Sequence, residues 1–228
     1  MISKIVDFHD MLQAKRWRVE LFTDISAAVV ESRWPLVPIG ELADESSDAI
    51  LPTEYHAQMV LYVGLENVES VTGEPVGLEV RAKASVKSRS KTFNTGYILY
   101  GRLRPYLRKA FLAQPPFAEG ICSTEFIVMR PNLELVSPEV LRALLVSRPL
   151  TDELARFQIG AALPRISAKD FFSLRLPLPP LHIQEQWAEK LAELSAAIRE
   201  ARQRLDALPH QIDACLDGMV KGVPIAAP

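Results

Sequence analysis

Cysteine is nearly absent from this chain. Cys122 and Cys215 are the only two in 228 residues, far apart and in no metal or redox spacing. That argues against a disulfide framework or a zinc module and makes a reducing compartment the expectation. The four histidines, His9, His56, His182 and His210, are scattered, and His182 reads as a surface residue rather than a ligand or base. No apolar run approaches the roughly 18 residues of a membrane span. The N-terminus lacks a basic-then-apolar signal pattern, so a cytoplasmic, non-membrane chain is expected. Internal repeats and low-complexity tracts are also missing. A chain that is 48% apolar and 24% charged has room for one good core and an extension.

Proline and glycine are missing from residues 3–33, which read as a helix closed by Trp34-Pro35, because the residue before proline disfavours the helical region. Ile5, Phe8, Leu12, Val19, Phe22 and Val29 take heptad positions there, with Lys15 and Ser26 as defects. A stronger pattern lies at the other end. Trp187, Leu191, Leu194, Ile198, Ala201, Leu205, Leu208, Ile212, Cys215 and Met219 are spaced four, three, four, three without a slip. A 3.5-residue repeat of this length predicts a coiled-coil seam rather than a globular-core helix. From His182 to Leu208 it would span roughly 40 Å at about 1.5 Å per residue. Pro209 should kink or interrupt it.

The middle of the chain reads as a mixed α+β domain, mostly β first and helical later. Residues 59–65 and 76–82 have strand composition and are joined through Thr72-Gly73-Glu74-Pro75, which has turn chemistry. Residues 97–100, 110–113 and 126–129 are further short apolar runs of strand type. Ser137-Pro138-Glu139 opens a helix with a cap, an N1 proline and a first-turn acid. Thr151-Asp152-Glu153 opens another, ended by Gly160. Ser167 caps a short helix over residues 168–172, with Asp170 as an imperfect capping-box partner. Leu174, Leu176 and Leu178 alternate on a strand that Pro177, Pro179 and Pro180 confine to an edge. The expected division is an N-terminal helix over 1–33, a domain over 34–180, a long helix over 181–219 and a tail over 220–228.

Acids are missing from the stretch where bases concentrate. Arg81, Lys83, Lys87, Arg89, Lys91, Arg102, Arg104, Arg108 and Lys109 occur without one Asp or Glu among them, whereas the first sixty residues hold ten acids against five bases. The net charge of −2 hides this split. A basic block on an otherwise acidic chain is the footprint of a polyanion-binding surface, and the alternative is a solvated basic loop. Ser85, Ser88, Ser90, Thr92 and Asn94 could add hydrogen bonds to phosphates or base edges, and Tyr97, Tyr100 and Tyr106 flat polar-tipped surface.

Several stretches taken in order carry a family resemblance. They are Tyr62-Val-Gly-Leu-Glu-Asn-Val-Glu with Thr72-Gly73, then Phe93-Asn-Thr-Gly-Tyr-Ile-Leu-Tyr-Gly-Arg-Leu-Arg-Pro-Tyr-Leu-Arg-Lys, then Gly120-Ile-Cys-Ser-Thr-Glu-Phe-Ile-Val-Met-Arg-Pro. Ala162-Leu-Pro-Arg-Ile-Ser and Pro177-Leu-Pro-Pro-Leu-His-Ile-Gln complete the set. Together they resemble the specificity (S) subunits of type I restriction-modification systems, from about Trp34 into the C-terminal helix. Each motif is short; the order and spacing match one target recognition domain followed by one spacer helix.

The resemblance implies a DNA-reading subunit without catalysis or cofactor of its own. It would dock on an adenine methyltransferase subunit that carries S-adenosylmethionine, and a complex that also held a restriction subunit would cleave. The usual architecture has two recognition domains held apart by two antiparallel helices. This chain has one of each, and a homodimer joined through Trp187, Leu191, Leu194, Ile198, Leu205, Leu208 and Ile212 is the simplest repair. Such helices would set two domains about one duplex turn apart, a turn being about 34–36 Å. The N-terminal helix is a rival partner within the chain. Trp187 stands where the family more often shows an aliphatic residue. Arg102 and Arg104 are the leading base-reading or phosphate-clamping candidates, because they follow a short strand and Pro105 stiffens the exit.

Other functions are weaker. Gln114-Pro-Pro-Phe117 looks like the motif with which adenine methyltransferases grip a flipped base, but Gln replaces the short polar residue and no Gly-rich cofactor loop lies upstream. A proline turn is the better reading. Glu79 and Lys83 have the wrong spacing for a two-metal nuclease. Ser123-Thr124-Glu125 lacks a nucleophile elbow and reads as a strand entry. A coiled-coil decoy that competes for the methyltransferase would need no phosphate-neutralising surface.

Overall fold

The computed structural model describes residues 32–155 and 163–221. It divides into two compact units, Met1–Gln184 and Glu185–Pro228. The helix expected over residues 3–33 lies outside the described residues, except for Ser32 and Arg33, which are irregular. The expected stop at Gly160 also lies outside them.

Eleven short strands and five helices make up the described chain. In order they are β1 (Leu36–Pro38), α1 (Ile39–Leu42), β2 (Ala43–Glu45), β3 (Ala49–Ile50), β4 (Met59–Val63), β5 (Val80–Ala82), β6 (Ser90–Phe93), β7 (Ile98–Gly101), β8 (Ala110–Leu112), β9 (Gly120–Ser123) and β10 (Phe126–Pro131). Then come α2 (Pro138–Leu145), α3 (Arg148–Ala155), α4 (Ala168–Ser173), β11 (Arg175–Pro177) and α5 (Leu181–Val220). Mostly β first and helices later is the order the sequence predicts.

Two sheets form the first unit, one four-stranded in the order β2-β10-β7-β8 and one five-stranded in the order β3-β6-β9-β4-β5. Pairing is antiparallel except for β4 with β9, which run parallel through Tyr62 opposite Ile121. The four-stranded sheet is covered on both faces. Ile98, Tyr100, Ile127 and Met129 pack with Leu141, Leu145, Leu150 and Phe171 from the helices. Leu99, Phe126 and Val128 pack with Val63, Phe93 and Cys122 from the other sheet. Strand β7 is therefore buried at every residue, as a strand covered on both faces reads as an unbroken apolar run.

Local signals hold where they are local. Ser137 Oγ accepts from the Val140 N–H at 3.2 Å, the N-cap expected for α2. Ser167 Oγ accepts from the Asp170 N–H at 3.1 Å and donates to Asp170 Oδ2 at 2.6 Å. The two side chains of the expected box are thus bonded to each other, the Asp170 carboxylate accepting the Ser167 hydroxyl proton. Helix α3 starts at Arg148, a turn before Thr151, with Pro149 in its first turn. Strand β11 pairs with β1 alone, Val37 opposite Leu176, in a separate two-stranded ribbon that suits its prolines.

The second unit is the greater part of α5. This helix is 40 residues long with Pro209 inside it, or roughly 60 Å at 1.5 Å per residue. The expected interruption at Pro209 is not found. Proline forfeits one N–H bond and crowds the carbonyl of Leu205, but the helix continues through it from Leu181 to Val220. The seam is open to solvent: Trp187, Leu194, Leu205, Leu208 and Ile212 are each about half exposed or more, and Leu191 and Ile198 are half-buried.

Candidate nucleic-acid interface

The nine cations divide between two places. Arg81, Lys83, Lys87, Arg89 and Lys91 follow the chain from β5 to β6 in the five-stranded sheet. Arg102, Arg104, Arg108 and Lys109 lie between β7 and β8 of the four-stranded sheet.

Several of them hold the fold. Lys83 Nζ donates to Tyr55 O at 2.8 Å, Lys91 Nζ to Phe126 O at 3.0 Å, and Lys109 Nζ to Leu65 O at 2.7 Å. Arg108 Nε donates to Val146 O at 2.6 Å, at the C-terminal end of α2, where a cation also meets the negative end of the helix dipole. The Lys91 side chain is only 14% exposed. It shares the inter-sheet space with Cys122, whose thiol burial pushes up to about 12. A cation so placed is held by backbone carbonyls of its own chain.

The others are differently placed. Lys87, Arg89 and Arg104 are exposed, and Arg81 lies over the Tyr62 ring, 5.3 Å from its centre. Arg102 is half-buried, and its Nε has no hydrogen-bond partner. Two expectations are corrected. Tyr100 is in the core against Phe171, with ring centres 4.6 Å apart, and Ser90 is buried with its hydroxyl donating to Ser88 O at 3.2 Å. Their side chains turn inward because strands β6 and β7 are covered, and neither offers surface. Tyr106 is 51% exposed.

Beyond β7 the chain forms a compact junction of three segments. The Arg102 N–H donates to Glu125 O at 2.9 Å, the Ile166 N–H to Arg102 O at 3.1 Å, and the Arg104 N–H to Pro164 O at 2.7 Å. Leu103 and Arg165 form an antiparallel bridge. The motifs Gly-Arg-Leu-Arg-Pro, Ser-Thr-Glu and Leu-Pro-Arg-Ile-Ser, up to some 60 residues apart in the chain, thus meet as one small β-structure. Arg165 grips Glu125 with a fork, Nη2 to Oε1 at 2.8 Å and Nε to Oε2 at 3.1 Å. Arg104 and Arg108, on either side of the single turn Pro105–Leu107, both take left-handed backbone, φ 50° and 54°. Non-glycine residues adopt it only where surroundings impose it, commonly at functional sites.

A second loop is locked behind this one. The Val71 N–H donates to Arg108 O at 2.9 Å, and Arg142 Nη1 donates to Thr72 O at 2.6 Å. Burial lowers the Arg142 guanidinium pKa, while Glu74 and Glu139 oppose that shift. Gly73 has φ +69°, and a Cβ there would stand 2.1 Å from Ala110 O. Only glycine fits the Thr-Gly turn in this position.

Two of the rival motifs have structural roles. Gln114 and Phe117 close a tight turn, with the Phe117 N–H on Gln114 O at 2.8 Å. The Glu125 carboxylate is engaged by Arg165 and does not serve Ser123, whose Oγ accepts from the Glu125 N–H at 3.2 Å. No group of three or more His, Cys, Asp or Glu among the described residues could hold a metal. A cleft beside β2 and β10 is lined by Glu41, Asp44, Arg130, Asn132 and Glu134, a net-acidic lining opposite in sign to a polyanion site. No helix among the described residues is long and apolar enough to cross a membrane.

Glu125 and Arg165 escape a reading of charge runs, since neither lies in one and their pairing spans 40 positions. Gln184, buried at 1% exposure, escapes it too.

A mixed two-sheet domain continuing into a long helix with an open heptad seam is the architecture expected of a recognition domain with its spacer helix. The chain belongs to the family described as the type I restriction modification DNA specificity domain, which matches residues 33–210. It is 25% identical over 183 residues to the type I restriction enzyme EcoDI specificity subunit of Escherichia coli, covering 80% of this chain and 39% of that one. It is 26% identical over 140 residues to the HindI specificity subunit of Haemophilus influenzae, covering 60% and 28%. Among solved structures, the HsdS subunit from Thermoanaerobacter tengcongensis superposes with a TM-score of 0.63 at 27% identity, over 86% of this chain and 50% of that chain. A chain described under "Structural basis underlying complex assembly and conformational transition of the type I R-M system" does so with 0.63 at 28%, over the same shares. The chain thus spans half or less of the length of these relatives.

Proposed function

We propose that this chain is the DNA sequence-recognition element of a type I restriction-modification complex, that it reads one half-site per copy, and that it catalyses nothing itself. The observation that carries the reading is the continuity of the family match. Residues 33–210 take in the two-sheet unit and most of the exposed-seam helix together, so the likeness is to a reading domain with its spacer and not to a fold fragment.

In this reading the cations Arg81, Lys87, Arg89, Arg102 and Arg104 neutralise phosphates and approach base edges in the major groove. Lys83, Lys91, Arg108 and Lys109 act one step back, by holding the loops that carry them. The helix α5 docks a methyltransferase subunit, which brings S-adenosylmethionine and performs the methyl transfer. A second copy packs on the seam of Trp187, Leu191, Leu194, Ile198, Leu205, Leu208 and Ile212, giving a two-fold complex and a palindromic target. A nonpolar stripe of this length left in water is the usual mark of an unmet helix partner.

Copurification from the native host with a methyltransferase subunit, followed by mapping of methylated adenines and gel shift on the mapped duplex, tests the proposal. Specific retardation by the chain with its methyltransferase is expected. Methyl transfer by the chain alone, or no binding with the partner present, would overturn it.

A further inference from the structure

We infer that the Glu125–Arg165 ion pair is a clasp that fixes the backbone of residues 102–104 and thereby aims Arg104 at the duplex; this rests on the DNA-reading function proposed above. The chain from Arg102 to Arg104 runs as the middle member of the three-segment junction, hydrogen-bonded to Glu125 on one side and to Pro164 and Ile166 on the other. The clasp joins those two outer members directly, side chain to side chain, with both carboxylate oxygens engaged by Arg165. If the flanks part, the middle strand loses both sets of bonds.

What the clasp holds is a residue that would not stay in place alone. Arg104 has left-handed backbone at φ 50°, ψ 60°. For an arginine this is a sparsely populated conformation, kept only by surroundings that over-determine it. Relaxing to the ordinary helical or extended region would swing the Cα–Cβ direction and carry the exposed guanidinium away. The fork is well suited to the task. A bidentate Arg–carboxylate pair fixes an angle as well as a distance, which a lysine cannot do. The pair is also electrically neutral as a unit, so Arg165 adds little to the attraction of a polyanion while Glu125 holds it. Its role is positioning, and it acts through Arg104.

Charge and positioning make opposite forecasts, and this separates them. Glu125→Gln removes a negative charge, and Arg165→Met removes a positive one. If these residues act by their charge, the first tightens DNA binding and the second weakens it, on any duplex. If they act as a clasp, both weaken binding, and only on the target.

The experiment uses the full chain with its methyltransferase subunit, a duplex carrying the target mapped from methylated adenines, and a scrambled duplex of the same length. Either substitution is expected to lower target affinity about five- to tenfold, with scrambled-duplex affinity held within about twofold. On the target the slope of log affinity against log salt should fall by no more than about 0.9, the share of the single contact that Arg104 makes. The double variant should cost no more than the worse single one, as partners in one interaction do not add. Arg165→Lys keeps the charge and gives up the fork, and it should lose target affinity about threefold at an unchanged melting midpoint. Wild-type target affinity in Arg165→Lys, or opposite signs for Glu125→Gln and Arg165→Met, overturns the clasp. Failure of the unaltered complex to bind the mapped duplex overturns instead the DNA-reading function on which the clasp depends.

Discussion

Gln184 Oε1 accepts the backbone N–H of Ser137 at 2.9 Å, so that a residue in the first turn of α5 completes the N-terminal cap of α2. In a capping box the third residue of the same helix reaches back to this N–H. Here that residue is Val140, which has nothing to offer, and an amide 47 positions away takes its place. Gln184 Nε2 donates to Leu135 O at 2.9 Å and to Pro179 O at 2.8 Å. The prolines Pro179 and Pro180 that precede α5 lack donors, and Gln184 satisfies the first one's carbonyl.

Gln184→Ala would strand the buried Pro179 carbonyl and the partly buried Ser137 N–H and Leu135 carbonyl. The expected loss is about 2–4 kcal/mol, several times the 1 kcal/mol typical of one net hydrogen bond, because unmet buried groups bear their full desolvation cost. Gln184→Glu should be almost as damaging, since a carboxylate keeps the acceptor and loses both donations. Chemical denaturation of the three proteins measures this, and a Gln184→Ala midpoint equal to wild type would show that water replaces the amide.

Tyr100 gives the reverse case. Its hydroxyl is buried with no partner, and burial raises its pKa above the ordinary value. Tyr100→Phe keeps the ring against Phe171 and removes the orphan, so stability should be unchanged or higher by about 1 kcal/mol. Thermal denaturation decides; a loss above that figure would reveal a partner for the hydroxyl.

Stability should fall in alkali, and the sign follows from two buried groups, Cys122 and Tyr100. Cys122 titrates at about 12 in the folded chain against an ordinary 9.0. Between those values the unfolded chain has released the proton and the folded chain still binds it. The stabilising contribution is therefore complete below about pH 9 and lost as pH rises towards 12, with a slope near 1.4 kcal/mol per pH unit for one group. Tyr100 acts in the same direction at higher pH. Cys122→Val should show a shallower decline between pH 9 and 11 than wild type, and a thiol reagent at pH 8 should label exposed Cys215 while sparing Cys122.

Under the DNA-reading proposal, Arg102→Ala with Arg104→Ala should weaken target binding and flatten its salt dependence. The slope should drop by about 0.9 for each phosphate contact removed. Lys91→Met is the contrast, because its amino group is bound to Phe126 O inside the sheet pair. It should lower the denaturation midpoint and leave the slope alone. An unchanged slope in the double variant removes Arg102 and Arg104 from the interface.

Leu205→Glu with Ile212→Glu tests the seam, both positions being about 60% exposed. Sedimentation should show a shift from dimer towards monomer, with the melting midpoint of the two-sheet unit unaffected. Dimers that persist would place the second copy elsewhere.

Much of this fold is legible locally. Caps at Ser137 and Ser167 need only three residues of sequence, since the hydroxyl and the N–H it satisfies lie within one turn. Strands β4, β7, β8 and β10 stand out as apolar runs because both faces of their sheets, or most of them, are covered. Strand β6 is harder: Ser90-Lys91-Thr92-Phe93 has a polar composition, and its strand state comes from pairing with β9. The parallel union of β4 with β9 and the ribbon of β1 with β11 leave no local trace at all.

The same division holds for the site. The order of residues alone determined the heptad seam, the acid-free basic block and the motifs of the family, because periodicity, charge and spacing are properties of neighbours in the chain. Tertiary structure decided which cations face water and which serve the fold. Lys91 and Arg89 are two positions apart and equally basic in the sequence, yet one ends on a backbone carbonyl between two sheets and the other in solvent. Burial, and partners such as Phe126 O for Lys91 and Glu125 for Arg165, brought from 35 and 40 residues away, set each charge its task.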